Sequence, residues 1–244
     1  KCLRRVMQAD GPQCVPFYPH EHVQRRSDLG LADLSAQVVA DVEARQLDPL
    51  QFERARRAIR THHGDQKLLV LSDLEIAKAL RVVESQGGKV VATLAGLLLF
   101  GRGEDLLRHV PTHRAAFQVV DEKADVRMND FFTAPLLETI EAVESRFDAR
   151  NDEKEVLVGM ISVPIPSYSR EAFREATLNA LLHRDFSQLG VVHVQWHPDH
   201  LLITNPGGFL AGIGPHNVLS HEPRPRNPRL YAAMNRLGLV EYTA

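Results

Sequence analysis

Glu171, Glu175, Asn179 and His183 recur every four residues, so on a helix they fall in one polar line. A carboxylate and a carboxamide one turn apart can divide two tasks. Glu175 can orient a water as a general base, and Asn179 can offer an oxygen to magnesium, a hard cation that keeps waters and substrate phosphates around it. An ordinary solvated helix face carries the same spacing. The second candidate is Asn205-Pro206-Gly207-Gly208, which follows an apolar run. Glycine lets a ligand approach the backbone closely, and the Asn205 amide can present a donor and an acceptor to a base edge. These residues are also the commonest in tight turns, which is the alternative reading of the bend.

The elements that must position these groups can be read from capping and periodicity. Ser169 caps a helix running to about His183, with Phe173, Ala176, Ala180 and Leu181 on its apolar face. Strands over Val191 to His197 and Leu201 to Thr204 form a hairpin at Pro198-Asp199 and lead into the Asn205 bend. Asn227 and Pro228 begin a last helix that ends at Gly238. Upstream, Asp48-Pro49 opens a helix, and Ser72 with Glu75 forms a capping box for a second helix read through Val83 to Gly87-Gly88. A third follows Thr93 to Gly101. Arg114 to Val120 reads as a strand, Pro135 to Phe147 as a helix, and Val156 to Val163 as one strand stopped by Pro164. The expected organisation is 1–44 as the tail of a domain plus a linker, 45–150 as a helix-rich connecting domain, and 151–244 as the chemical domain.

Other chemistries are excluded by what is missing. The 244 residues include 29 basic and 31 acidic side chains, for a formal charge of -2, so a uniformly basic nucleic-acid binder is not indicated. Two cysteines make neither a disulfide framework nor a zinc set, which points to a reducing, cytoplasmic setting. The longest apolar run, Leu94 to Phe100, is far too short to cross a bilayer, so no membrane partner is expected. There is no Gly-x-x-x-x-Gly-Lys-Ser/Thr loop and no Gly-x-Ser-x-Gly elbow. His193, His197 and His200 lie opposite the apolar Val192, Val194 and Trp196, and read as solvent-facing rather than as a zinc site. The chain opens on Lys1 rather than methionine, which reads as a piece of a longer protein.

The combined order resembles a known family. Arg-Glu-Ala-Thr-Leu-Asn-Ala-Leu-Leu-His-Arg-Asp-Phe (174–186), Asn-Pro-Gly-Gly (205–208), Pro-Arg-Asn-Pro (225–228) and Arg-Leu-Gly-Leu-Val-Glu (236–241) resemble the ATP-binding C-terminal domain of bacterial RecG-like transcriptional regulators. Cys-Leu-Arg-Arg-Val (2–6) is similar to the last strand of a Schlafen AlbA-like domain, and Thr93 to Gly101 to the family's connecting region. The C-terminal part is also similar to the GHKL ATPases. This resemblance implies an α+β fold, a GHKL-like two-layer α/β sandwich preceded by a helix-rich α/β region. It implies ATP and magnesium as cofactors, with Glu175 polarising water, Asn179 holding magnesium, and Asn205 with Gly207 and Gly208 meeting adenine. Gly212, Gly214, Arg224, Arg226 and Arg229 would belong to a lid, with Arg224 or Arg226 as the phosphate partner. The sequence departs from the stricter pattern: Asn205 replaces an aspartate and Phe209 stands where a second glycine is expected.

The function expected from this resemblance is an ATP-binding regulatory module of a bacterial transcriptional regulator. It would hydrolyse ATP slowly if at all, contact DNA through a segment preceding Lys1, and form a homodimer in some settings. The alternatives are a dimerising scaffold with a vestigial pocket, and direct DNA binding by the helices between Asp48 and Gly101.

Overall fold

The computed structural model describes residues 3–8, 11–16, 26, 29, 32–158, 160–214, 216–217 and 224–240. The architecture is α+β. A hairpin of β1 (Leu3–Gln8) and β2 (Gly11–Pro16) comes first. Then β3 (Val38–Glu43), β4 (Val83–Gln86) and β5 (Lys89–Thr93) form an antiparallel sheet in the order β3-β5-β4. Helices α1 (Pro49–Thr61), α2 (Asp73–Ala79), α3 (Leu94–Phe100) and α4 (Gly103–His109) accompany it. Phe52 of α1 stacks on Phe100 of α3 with ring centroids 4.2 Å apart, and the α3 side chains Leu97, Leu98, Leu99 and Phe100 are wholly buried.

The second sheet holds β6 (Ala115–Val120), β7 (Val126–Phe132), β10 (Val192–Trp196) and β11 (Leu201–Thr204) in the order β11-β10-β6-β7. Strand β10 runs parallel to β6, and the outer strands pair antiparallel. Helices α5 (Leu136–Asp148) and α6 (Arg170–Leu182) cover one face. Phe147 and Phe173 stack there at 3.9 Å, over a layer that includes Phe117 and Val194. Between α5 and α6, β8 (Glu153–Val158) and β9 (Ile161–Pro166) form a separate hairpin. Helix α7 (Pro228–Arg236) returns to the first unit, where Leu230, Ala233, Met234 and Leu237 are fully buried.

Several expectations are corrected. The helix capped by Ser72 ends at Ala79; Arg81 turns the chain at φ +58°, and Val83 starts a strand. Gly87 and Gly88, at φ +56° and +81°, make a two-residue hairpin turn, since paired positive φ values match the twist of the strands. A β-hairpin therefore separates α2 from α3, and the expected run of three successive helices between Asp48 and Gly101 is interrupted. The single strand expected over Val156 to Val163 is two strands, which pair antiparallel with Val158 opposite Ile161. Strand β3 lies inside the segment read as a linker. The second sheet draws β6 and β7 from before residue 150 and β10 and β11 from after it. Among the described residues no helix is long and apolar enough to cross a membrane.

Candidate functional site

Helix α6 forms where it is expected, with the Ser169 hydroxyl accepting the Ala172 N–H at 3.2 Å. Phe173, Thr177, Leu178, Ala180, Leu181 and Leu182 face the interior, and Glu171, Glu175 and Asn179 are exposed. Among the described residues the side chains of Glu175 and Asn179 have no hydrogen-bond or ion-pair partner. Both therefore keep their oxygens available toward solvent, a donor set that suits magnesium sharing its shell with waters and phosphates. Glu171 differs: its carboxylate is held below the usual range, first by backbone hydrogen bonding and then by the Ser169 hydroxyl. His183, half-buried at the end of the helix, has its pKa lowered by burial and then by the Arg226 charge.

The bend after β11 is fastened to the end of this helix. Asp185 donates its N–H to the Pro206 carbonyl at 2.8 Å. Gly207 has φ +111°, and a Cβ built on it would lie 2.9 Å from the Asp185 Cβ, so the close approach requires glycine. Asn205 is half-buried; its amide donates to the Pro206 carbonyl at 3.3 Å, and among the described residues its oxygen has no hydrogen-bond partner. Gly208 is exposed. The structure thus brings the bend to the C-terminal end of the helix that carries Glu175 and Asn179.

The arginines have different roles from those expected. Arg226 is 3% exposed; its guanidinium pairs with Asp185 at 3.4 Å and donates to the Gly208 carbonyl at 2.9 Å. It is part of the scaffold under the bend, and no face of it is open to a phosphate. Arg229 binds Glu84 at 2.9 Å, away from any lid. Arg224 is exposed and remains available. Gly212 and Gly214 are described, whereas 215 and 218–223 of the expected lid lie outside the described residues.

Sequence reasoning missed the buried polar hub that organises this region. Arg184 is 1% exposed and donates to the carbonyls of Arg114 at 3.1 Å, Gly190 at 2.9 Å, and Thr112. Asp185 is fully buried and accepts from the N–H and hydroxyl of Ser187, the Gln188 amide and Arg226. Asn227 gives its side-chain amide to the carbonyls of Leu182 at 2.7 Å and Arg184 at 2.9 Å, rather than capping α7. Two adjacent charges after a helix ordinarily signal a solvated end. The available signal was their position on a short link between two apolar elements, the helix ending at Leu182 and the strand starting at Val192.

Of the histidines expected to face solvent, His200 is exposed, whereas His193 on β10 and His197 just after it are half-buried: His193 contacts Gln118 at 3.2 Å, and His197 stacks on His200 at 4.3 Å. Among the described residues no group of three His, Cys, Asp or Glu could hold a metal ion. Two clefts, of about 460 and 420 Å³, are lined by Leu50 to Thr61 of α1 and by β3 with His109 and Phe186; neither includes Glu175, Asn179 or the bend.

Comparisons with known proteins agree with part of this picture. Residues 190–244 match the family described as "Putative ATP-dependent DNA helicase recG C-terminal", and residues 24–116 match a domain of unknown function, DUF8451. The crystal structure of the DIP2311 protein from Corynebacterium diphtheriae is similar at 26% identity with a TM-score of 0.72, over 97% of this chain and 45% of that one. The chain thus spans less than half the length of that relative. No curated protein matches.

Proposed function

We propose that this chain is a regulatory module that binds ATP with magnesium on the open side of α6, next to the Asn205 bend. The observation that carries the reading is the pairing of two features on one helix. Glu175 and Asn179 stand one turn apart with unengaged oxygens, and the bend is hydrogen-bonded to the end of that same helix. The match of residues 190–244 to the RecG C-terminal family supports it.

In this reading Asn179 holds magnesium, which neutralises phosphate charge, and Glu175 orients a water beside it. The free oxygen of Asn205 accepts from the adenine amino group, while Gly207 and Gly208 let the base approach the backbone. Arg224 is the phosphate partner. Because the water-orienting group is open to solvent, hydrolysis is slow. The module acts in a cytoplasmic bacterial regulator of transcription whose DNA contacts lie in a segment preceding Lys1.

Calorimetric titration with ATP and magnesium tests this. The wild type releases heat, and Asn179→Ala weakens binding at least about tenfold, equivalent to about 1.4 kcal/mol. Absence of heat, or equal affinity in the variant, rejects the reading. A second reading, a dimerising scaffold without nucleotide, is favoured by one observation: Arg226 is already neutralised by Asp185. A stable dimer whose mass ignores ATP would support it.

A further inference from the structure

The segment between the bend and α7 touches three parts of the molecule within five residues. Arg226 holds the bend through the Gly208 carbonyl and Asp185. Asn227 holds the end of α6 through the Leu182 carbonyl, one of the acceptors that a helix C-terminus leaves open, and through the Arg184 carbonyl just beyond it. Arg229 and Leu230 then give their backbone N–H groups, donors that a helix N-terminus leaves open, to Asp33 Oδ2 at 2.8 Å and Ser35 Oγ at 3.1 Å. The far end of α7 is equally fixed. Asp65 accepts from Arg236 at 2.7 Å, and the Asp65 N–H donates to the Arg236 carbonyl at 2.8 Å.

We propose that Arg226–Leu230 is a coupling strap: Arg226 and Asp185 position the Asn205–Gly208 bend, and any displacement of that bend is passed through Asn227 to the first turn of α7 and the 33–35 segment. The physical reason is the lack of slack. The Arg226–Asp185 pair is buried on both sides, where an unpaired charge is costly, so the two groups move together rather than separate. Gly207 is already in contact with Asp185, so the bend cannot shift toward the hub without moving it. A ligand at the bend would thereby reach the first unit without touching it. That last step rests on the nucleotide reading, whereas the mechanical link does not.

Hydrogen exchange followed by mass spectrometry separates the two. In Asp185→Asn, which keeps the shape and removes the charge, exchange rises about tenfold or more at 207–208 and together with it at 229–231, while 117–120 of β6 is unchanged. A rise confined to 207–208 overturns the strap. If Asp185→Asn does not fold, Arg226→Lys serves, because it keeps the charge and loses the fixed fork that reaches both Asp185 and Gly208. Adding ATP and magnesium to the wild type is expected to protect 207–208, 229–231 and 33–35. Protection at the bend alone overturns the transmission. Absence of protection everywhere, with the Asp185→Asn result as expected, rejects the nucleotide reading and supports the strap.

Discussion

The carboxylate of Asp33 accepts the backbone N–H of Arg229 at 2.8 Å, although the two residues are 196 positions apart. Its other oxygen takes the N–H and hydroxyl of Ser35, so one side chain caps both the short 3-10 turn at 34–36 and the start of α7. Losing a cap costs about 1 kcal/mol, and two caps are lost together in Asp33→Ala, so destabilisation of about 2 kcal/mol is expected. Urea unfolding measures it. A loss under about 0.5 kcal/mol would mean that the α7 cap contributes nothing.

Gly207→Ala tests the close approach at the bend. A side chain there meets both a positive φ of +111° and the Asp185 Cβ at 2.9 Å. Backbone strain and overpacking together are expected to cost about 3 kcal/mol. Gly208→Ala is the control, since nothing lies within 4 Å of its Cβ position. Equal midpoints in denaturant for the two variants would contradict the geometry.

Glu175→Ala and Asn179→Ala are expected to change unfolding free energy by less than about 0.5 kcal/mol each, because both side chains are exposed and make no hydrogen bond or ion pair among the described residues. This neutrality makes them clean probes: any change in ligand affinity would report a lost contact rather than a loosened fold. Thermal melts of the two variants without ligand check it, and a clear drop in midpoint would show that these groups do structural work.

Much of the fold was legible where one local signal sufficed. Asp48 with Pro49, Ser72 with Glu75, Thr93 and Ser169 each begin a helix at the expected place, because a cap is a contact between neighbours in sequence. Helix α2 was overextended because Ile76, Ala79, Leu80 and Val83 keep helical spacing, while the break at Arg81 is imposed by packing: the Val82 carbonyl accepts from Thr93, and Gly96 passes so close that its Cβ would lie 2.2 Å away. At the site, the helix line and the bend were visible as motifs. Their junction was not, because Asp185, Arg226 and Asn227 act through partners more than 40 residues distant. An arginine in a glycine-rich segment reads as a free cation until its buried carboxylate is located.

His113 gives the fold a defined acid sensitivity. Its side chain is buried, its Nε2–H donates to the Ala134 carbonyl at 2.8 Å, and burial together with the nearby Arg184 charge lowers its pKa to about 4, the hydrogen bond only partly opposing them. In the unfolded chain the imidazole titrates near 6.5. Above that pH it is neutral in both states and stability does not depend on it. Between about 6.5 and 4 the unfolded state binds the proton and the folded state does not, so stability falls as pH falls, by about 1.4 kcal/mol per pH unit and about 3 kcal/mol across the window. His62 and His183, whose pKa values are also lowered by burial and nearby arginines, add in the same direction. Unfolding free energy measured by urea titration from pH 7.5 to 4.5 should therefore decline. In His113→Gln, which keeps a donor for Ala134 but cannot titrate, the slope should be shallower by up to one proton. An unchanged slope in that variant would place the acid sensitivity elsewhere.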